Sequence, residues 1–331
     1  MVWFKFALLG LGALVGVVLI AGVAGYMYVR HQSSGYFASL SHHGGVEIHQ
    51  NGLIGRFYAP KGVLHHTSVL MLGGSNGGYP YDAAAQDLAN SGYPVFALAY
   101  FQDMTGNPKS RPKYLANIEL EYFFRALDWM KTRTEIDPER IILMGESRGG
   151  ELVLLLASHR PDVAGVIAYS PSHLVWAGLN PTYDQPAWTL NGKPLPFLRT
   201  RYAFGASLLS MFQKALAETP AAERERATIP VENIHGPVLL ISSKSDGLWP
   251  SSQMADAVAA RLHARGFCYP VENLQYADSS HLLMGYGPGL IKLGIPYIWE
   301  MNFGGSLEGT RKARDAGWAA SKAFLAKIAA Q

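Results

Sequence analysis

Gly145-Glu146-Ser147-Arg148-Gly149 reads G-x-S-x-G, and it lies between an apolar β-type run, "RIILM", and an apolar helical run, "ELVLLLASH". A serine hydroxyl is a weak nucleophile near neutral pH unless a base takes its proton and an acid orients that base. At a tight strand-to-helix corner the hydroxyl is exposed, and small flanking residues let the two elements close on each other. The first amides of the helix then face any oxyanion that forms beside the serine. Such a corner serves nucleophilic acyl transfer. The competing reading is a Gly-rich β-to-α turn that happens to hold a serine, and the strand and helix on either side argue against it.

The partners of such a serine follow in the order acid, then base, each just beyond a strand. Asp246 follows "VLLISSKS" directly, and His281 follows the strand-like run in "VENLQYADSSH". Ser147, Asp246 and His281 are therefore the candidate catalytic residues. With eleven histidines in the chain, chance supplies rivals. His173 also trails a strand and stays in contention. His42, His43, His65 and His66 fall in linker or turn sequence, and His263 sits between Arg261 and Arg265 on a helix surface. Asp278 reads as a turn former. An oxyanion hole needs two backbone donors: the Arg148 N–H, and one from the turn Gly73-Gly74-Ser75-Asn76-Gly77-Gly78 after "SVLML", with Gly74 or Ser75 as the donor. These glycines lack both G-x-G-x-x-G spacing and a P-loop lysine, so they are not a phosphate cradle. Arg148 and Glu151 have i,i+3 spacing, which predicts a surface ion pair of little energetic weight. The alternative is that one of them meets a substrate carboxylate or phosphate.

The elements that must carry these residues alternate. "VEIHQNGLIGRFYAP" is two strands joined at Asn51-Gly52, a strong hairpin signal. "TSVLMLGG", "YPVFALAYF", "RIILMGES", "VAGVIAYSP", "GPVLLISSKSDG" and "VENLQYADSSH" each hold a strand. Helical patterns fall at 81–91, over a long stretch between Pro112 and Glu135, after Gly149, at 251–265 and at 308–328. Near-continuous apolar strands alternating with helices predict an α/β fold whose mostly parallel sheet is covered on both faces. The Pro- and aromatic-rich segment 171–235 breaks the rhythm as a lid-like insertion or as packing against the sheet edge.

Composition bounds the rest. The chain has 331 residues, 49% hydrophobic and 16% charged, which supports a large core in one domain, here about 45–331. A net charge of +3 with scattered Lys and Arg gives no nucleic-acid stripe. Cys268 alone rules out an internal disulfide and a cysteine metal site, and neither a cofactor nor a metal is expected. Residues 6–29 contain no charge. As a helix they span roughly 36 Å, more than the ~30 Å hydrocarbon core of a bilayer. Trp3, Tyr26 and Tyr28 sit near its ends, so residues 1–30 are expected to be a single-pass membrane anchor, followed by a polar linker at 31–44. A cleaved signal peptide is the alternative, although the apolar run is long for one. The short tail with Lys5 favours a cytoplasmic amino terminus, which in a bacterium puts the catalytic domain in the periplasm.

With these residues in place the chain resembles the α/β-hydrolase superfamily. More narrowly, it resembles the C-terminal catalytic domain shared by acyl-CoA thioesterases and bile acid-CoA:amino acid N-acyltransferases. The stretches that carry the resemblance are "LGGSNGGYPYDAAAQDLANSGYPVFALAYF", "EYFFRALDWMKTRTEIDPERIILMGESRGGELVLLLAS", "GPVLLISSKSDGLWPSSQMADAVAARL" and "GGSLEGTRKARDAGWAASKAFLAKI". The resemblance implies Ser147 as nucleophile, Asp246 as acid and His281 as base. It implies hydrolysis of an acyl thioester or ester, since the thioesterases use serine where the amino acid N-acyltransferase uses cysteine. Esterase or dienelactone-hydrolase-like activity, peptidase activity, transfer to an amine or alcohol, and a catalytically dead binding protein are the other readings. Family members usually carry an N-terminal β-sandwich, for which there is no room between the anchor and "SVLML". Acyl-CoA is not expected in a periplasm, so resemblance and topology pull apart on substrate.

Overall fold

A computed structural model describes residues 22–30, 44–79, 81–200, 205–295 and 299–331. Its centre is an eight-stranded sheet in the order β1-β2-β4-β3-β6-β7-β10-β11. β1 (Val46–Gln50) and β2 (Leu53–Tyr58) form the antiparallel hairpin expected at Asn51-Gly52, and both turn residues have positive φ. β2 pairs antiparallel with β4 (Val95–Leu98). From β4 onward, β3 (Ser68–Leu72), β6 (Ile141–Glu146), β7 (Gly165–Tyr169), β10 (Val238–Ser243) and β11 (Val271–Tyr276) run parallel.

Along the central strands β3, β4, β6, β7 and β10 the period of two explains why nearly every residue is apolar and all are buried. Leu70 and Leu72 of β3, with Leu143 of β6 and Leu240 of β10, enter one core with α3 (Leu120–Lys131), α4 (Arg148–His159) and α7 (Ser251–Ala264). Val69, Met71, Met144 and Ile241 enter the opposite core with α2 (Asp82–Asn90) and α8 (Leu307–Ala329). Both faces of the central parallel strands are thus dry, as a covered parallel sheet requires.

The insertion between β7 and β10 builds β8 (Trp188–Leu190), β9 (Lys193–Pro194), α5 (Leu208–Glu218) and α6 (Ala221–Ala227). β8 pairs with β9 and with the two-residue β5 (Ile118–Glu119). That pairing corrects the helix expected from Pro112. Leu115 and Ile118 fit the helical period, but they are held in extended backbone by Leu179 and Trp188, so α3 starts only at Leu120. The hairpin of β12 (Lys292–Ile295) and β13 (Trp299–Asn302) had no sequence signal strong enough to predict it. Of the expected anchor, 6–29, only 22–29 falls in the described residues, where 22–30 is helical (α1); the rest, and all but residue 44 of the linker, lie outside them. Among the described residues no helix is long and apolar enough to cross a membrane.

Candidate active site

Ser147 occupies the corner between β6 and α4 at φ 59° and ψ −120°, a left-handed backbone setting that an L-residue adopts at a cost of order 1–3 kcal/mol. The glycines around it are there for close approach. A Cβ on Gly145 would lie 2.5 Å from the Gly149 carbonyl oxygen, and one on Gly149 would lie 2.5 Å from that of Gly73. Strand, helix and the turn after β3 therefore pack backbone to backbone. Arg148 is the first residue of α4, so its N–H has no acceptor within the helix. Ser75 and Arg148 line the same cavity as Ser147. Gly74 does not line that cavity but lies close to Ser147: a Cβ there would be 3.2 Å from the Ser147 Cβ.

Asp246, in the loop after β10, is buried. Its Oδ1 accepts the N–H of Leu248 at 2.9 Å and of Trp249 at 3.2 Å, and its Oδ2 lies 2.8 Å from His281 Nδ1. His281, in the segment after β11, is also buried, and Ser170 Oγ donates to its carbonyl at 2.6 Å. The two loops are cross-braced by Phe303, whose carbonyl accepts the N–H of His281 at 2.8 Å and of Gly247 at 3.0 Å. Burial pulls the His281 pKa down, but the charge and hydrogen bond of Asp246, with the nearby Glu146 charge, outweigh it and leave the pKa above the ordinary histidine value. His281 Nε2 is buried with no hydrogen-bond partner, so the Asp246–His281 contact is made while no hydrogen bond joins His281 to Ser147. Such contacts are often long in uncomplexed sites.

Ser147 and His281 share the wall of a cavity of about 260 Å³. Most of the remaining wall is apolar: Trp176, Ala177, Leu179, Leu208 and Phe212 from the insertion, Leu248 and Trp249 from the Asp246 loop, and Met301 of β13. Phe212 packs edge-on to Trp176 and Trp249, and Trp249 edge-on to His281. The insertion thus roofs the serine. Such a site can hold an apolar acyl group next to a hydroxyl, a base and backbone donors.

The rival His173 does not line this cavity. Its pKa is lowered to about 4 by burial and by Arg224 and Arg261. Asp278 proves structural, since it accepts from the N–H and Oγ of Ser306, the N-cap of α8. The expectation for Arg148 and Glu151 needs correction. The pair forms at 3.1 Å but inside the protein, where Arg148 is 3% and Glu151 0% exposed. Trp188 Nε1 donates to Glu151 at 2.7 Å and Arg148 donates to the Trp176 carbonyl at 3.0 Å, so the insertion folds over a pair that would otherwise face water. Burial raises the Glu151 pKa to about 7 against the pull of Arg148. Sequence reading missed Trp249, although it lies three residues beyond Asp246, and it missed Glu146 and Arg314, which bond the backbone of the 282–287 segment. It could not have found contacts made by folding the 282–287 segment back on the sheet. Among the described residues no cluster of His, Cys, Asp and Glu could hold a metal ion.

The sheet order, the elbow and the loops at the carboxyl ends of β3, β6, β10 and β11 define an α/β-hydrolase fold. Solved structures agree on the fold: a Mycobacterium tuberculosis puromycin-hydrolyzing peptidase (TM-score 0.54, 15% identity, 83% of this chain and 37% of that one) and a putative dienelactone hydrolase from Klebsiella pneumoniae (TM-score 0.50, 16% identity, 86% and 97%). Residues 118–331 match the family described as BAAT / acyl-CoA thioester hydrolase C terminal, and the chain belongs to that family. Curated relatives include mouse acyl-coenzyme A thioesterase 1 (29% identical over 200 residues, 59% of this chain and 45% of the relative) and human mitochondrial acyl-coenzyme A thioesterase 2 (27% over 229 residues, 67% and 45%). The chain therefore spans about half the length of these relatives.

Proposed function

We propose that this protein is a serine hydrolase that cleaves a thioester or ester through an acyl-enzyme, with acyl-CoA thioesters as the first substrate class. The observation that carries the reading is the pairing of the strained Ser147 elbow with a buried Asp246–His281 couple on one apolar cavity. His281 accepts the Ser147 proton as Oγ attacks the acyl carbonyl. The Arg148 N–H and a donor from Gly74 or Ser75 stabilise the oxyanion. Collapse expels the thiol or alcohol, which takes the proton from His281. Water then attacks the acyl-enzyme with the same histidine as base, and the free acid leaves. Each oxyanion donor is worth roughly 3 kcal/mol in such a reaction.

The uncharged run 6–29 supports a membrane anchor, and Lys5 in the short tail favours a cytoplasmic amino terminus; in a bacterium that orientation would put the hydrolase domain in the periplasm, and a carboxylic ester would then replace acyl-CoA as the first substrate class. A panel of acyl-CoAs, p-nitrophenyl esters and peptide esters, with and without amine acceptors, separates thioesterase, esterase, peptidase and acyltransferase. Ser147→Ala should abolish turnover of the best substrate and labelling by a fluorophosphonate while leaving the thermal melt unchanged. Full activity in that variant ends the proposal, and absence of both turnover and labelling in the native chain leaves a binding protein on a hydrolase scaffold. Carbonate extraction and protease accessibility of membranes test the anchor and its orientation.

A further inference from the structure

The segment that follows His281 has no strand or helix to satisfy its backbone, so the polar groups of residues 282–287 must find partners elsewhere. They find two opposite charges. Glu146, the last residue of β6 and the neighbour of Ser147, is wholly buried. Its Oε1 accepts the N–H of Leu283 at 2.5 Å and of Met284 at 2.6 Å, and its Oε2 accepts from the Tyr81 hydroxyl. From α8, the buried Arg314 donates to the carbonyls of Met284 at 2.9 Å, Tyr286 at 3.0 Å, and Leu282 and Gly287 at 3.3 Å. Met284 is gripped at both ends, its N–H by the carboxylate and its C=O by the guanidinium.

An ionised carboxylate in a dry strand costs several kcal/mol of desolvation, and an apolar residue would fill a strand position without that cost. Burial leaves the Glu146 pKa above the ordinary carboxylate value, against the pull toward the ionised form from its Tyr81 and Met284 hydrogen bonds and the His281 and Arg314 charges. We propose that Glu146 is a positioning residue for His281, its carboxylate fixing the segment behind the imidazole to the strand that carries Ser147 while Arg314 fixes the same segment from α8. The inference rests on the hydrolase reading above. It supplies what the Ser–Asp–His set lacks, a direct tie between the strand of the nucleophile and the loop of the base. Asp246 and Glu146 face His281 with negative charge, Arg314 acts on it through the loop, and Trp249 covers the ring. Tyr81, Tyr169, His281 and Arg314 face Glu146.

Two substitutions separate charge from hydrogen bonding. Glu146→Gln keeps an oxygen for the Leu283 and Met284 amides and removes the charge; Glu146→Ala removes both. In the full-length chain, ring-labelled histidine NMR, with His281 assigned by its loss in His281→Gln, should show the His281 pKa falling by about half a unit or more in Glu146→Gln. The acid limb of kcat/KM should follow it. Glu146→Ala should lower kcat at least about tenfold with KM little changed, because the loop carrying the base loosens while the cavity does not. Should Glu146→Ala fail to fold, Arg314→Lys, which keeps a charge but cannot span the carbonyls, is expected to give the same kcat loss. An unmoved His281 titration in Glu146→Gln, or unchanged kcat in the second variant, overturns the proposal. The NMR titration needs no substrate, so this result is independent of whether the hydrolase reading holds.

Discussion

Asp246→Asn gives the sharpest test of the proposed chemistry, because the structure dictates how the new amide must sit. Asp246 Oδ1 accepts two backbone N–H groups, from Leu248 and Trp249, while Oδ2 faces His281 Nδ1. An asparagine oxygen can replace Oδ1 at no loss, which turns its NH₂ toward the imidazole. The opposite flip would set NH₂ against two N–H donors and forfeit two hydrogen bonds of about 1 kcal/mol each. A bias of about 2 kcal/mol favours the first orientation roughly 30-fold. In it Nδ1 must accept, so Nε2 carries the proton and cannot take one from Ser147. Loss of the charge that stabilises the imidazolium adds to this. The combined effect in serine hydrolases with the same geometry reaches about 10⁴-fold in kcat, or about 5.4 kcal/mol. Steady-state hydrolysis of a p-nitrophenyl ester, with the melting temperature as a control for folding, makes the measurement. A loss below about tenfold in a variant that melts like the native chain would refute the assignment of Asp246 and, with it, the tautomer argument.

Other outcomes follow from the same geometry. With His281 as the proposed base, its raised pKa predicts that kcat/KM climbs with pH through a midpoint above the ordinary histidine value of 6.5, read from a pH–rate profile. The linked stability has the opposite sense: the protonated imidazole favours the fold, so its contribution is complete below pH 6.5 and is lost as pH rises through the folded pKa, which pH-dependent denaturant melts would reveal. Gly149→Ala drives a Cβ to 2.5 Å from the Gly73 oxygen and 2.6 Å from that of Leu72. It should cost about 1–3 kcal/mol in urea unfolding and impair turnover by moving the oxyanion turn. Arg148→Met strands the buried Glu151 carboxylate and should cost about 3–5 kcal/mol at pH 8, less at pH 5 where Glu151 is protonated; equal losses at the two pH values would show that the charge is not what matters.

Much of the site was legible because its signals are local. G-x-S-x-G between a strand and a helix needs only neighbours in sequence, and the hairpin at Asn51-Gly52 is equally local. Asp246 and His281, which the structure brings to 2.8 Å of each other, are candidates by the position of each just past a strand, a rule of order rather than of contact. The helix expected from Pro112 fails for the complementary reason: Leu115 and Ile118 have the helical period, but pairing with Leu179 and Trp188 overrides it. The Arg148–Glu151 pair was readable as a pair and misread as exposed, because i,i+3 spacing says nothing about what lies above a helix face.

The sequence by itself determined the alternation of strands and helices, the strained serine turn and the placing of Asp246 and His281 just beyond strands, since each depends on period, turn chemistry and chain order. Tertiary structure decided which surfaces meet. It brought the insertion over Ser147 as an apolar roof, turned a surface ion pair into a buried one, and placed Glu146 and Arg314 on the loop behind His281. These outcomes rest on contacts between residues far apart in the chain, whose strength comes from exclusion of water, and no local pattern of residue types encodes which distant side chain will exclude it.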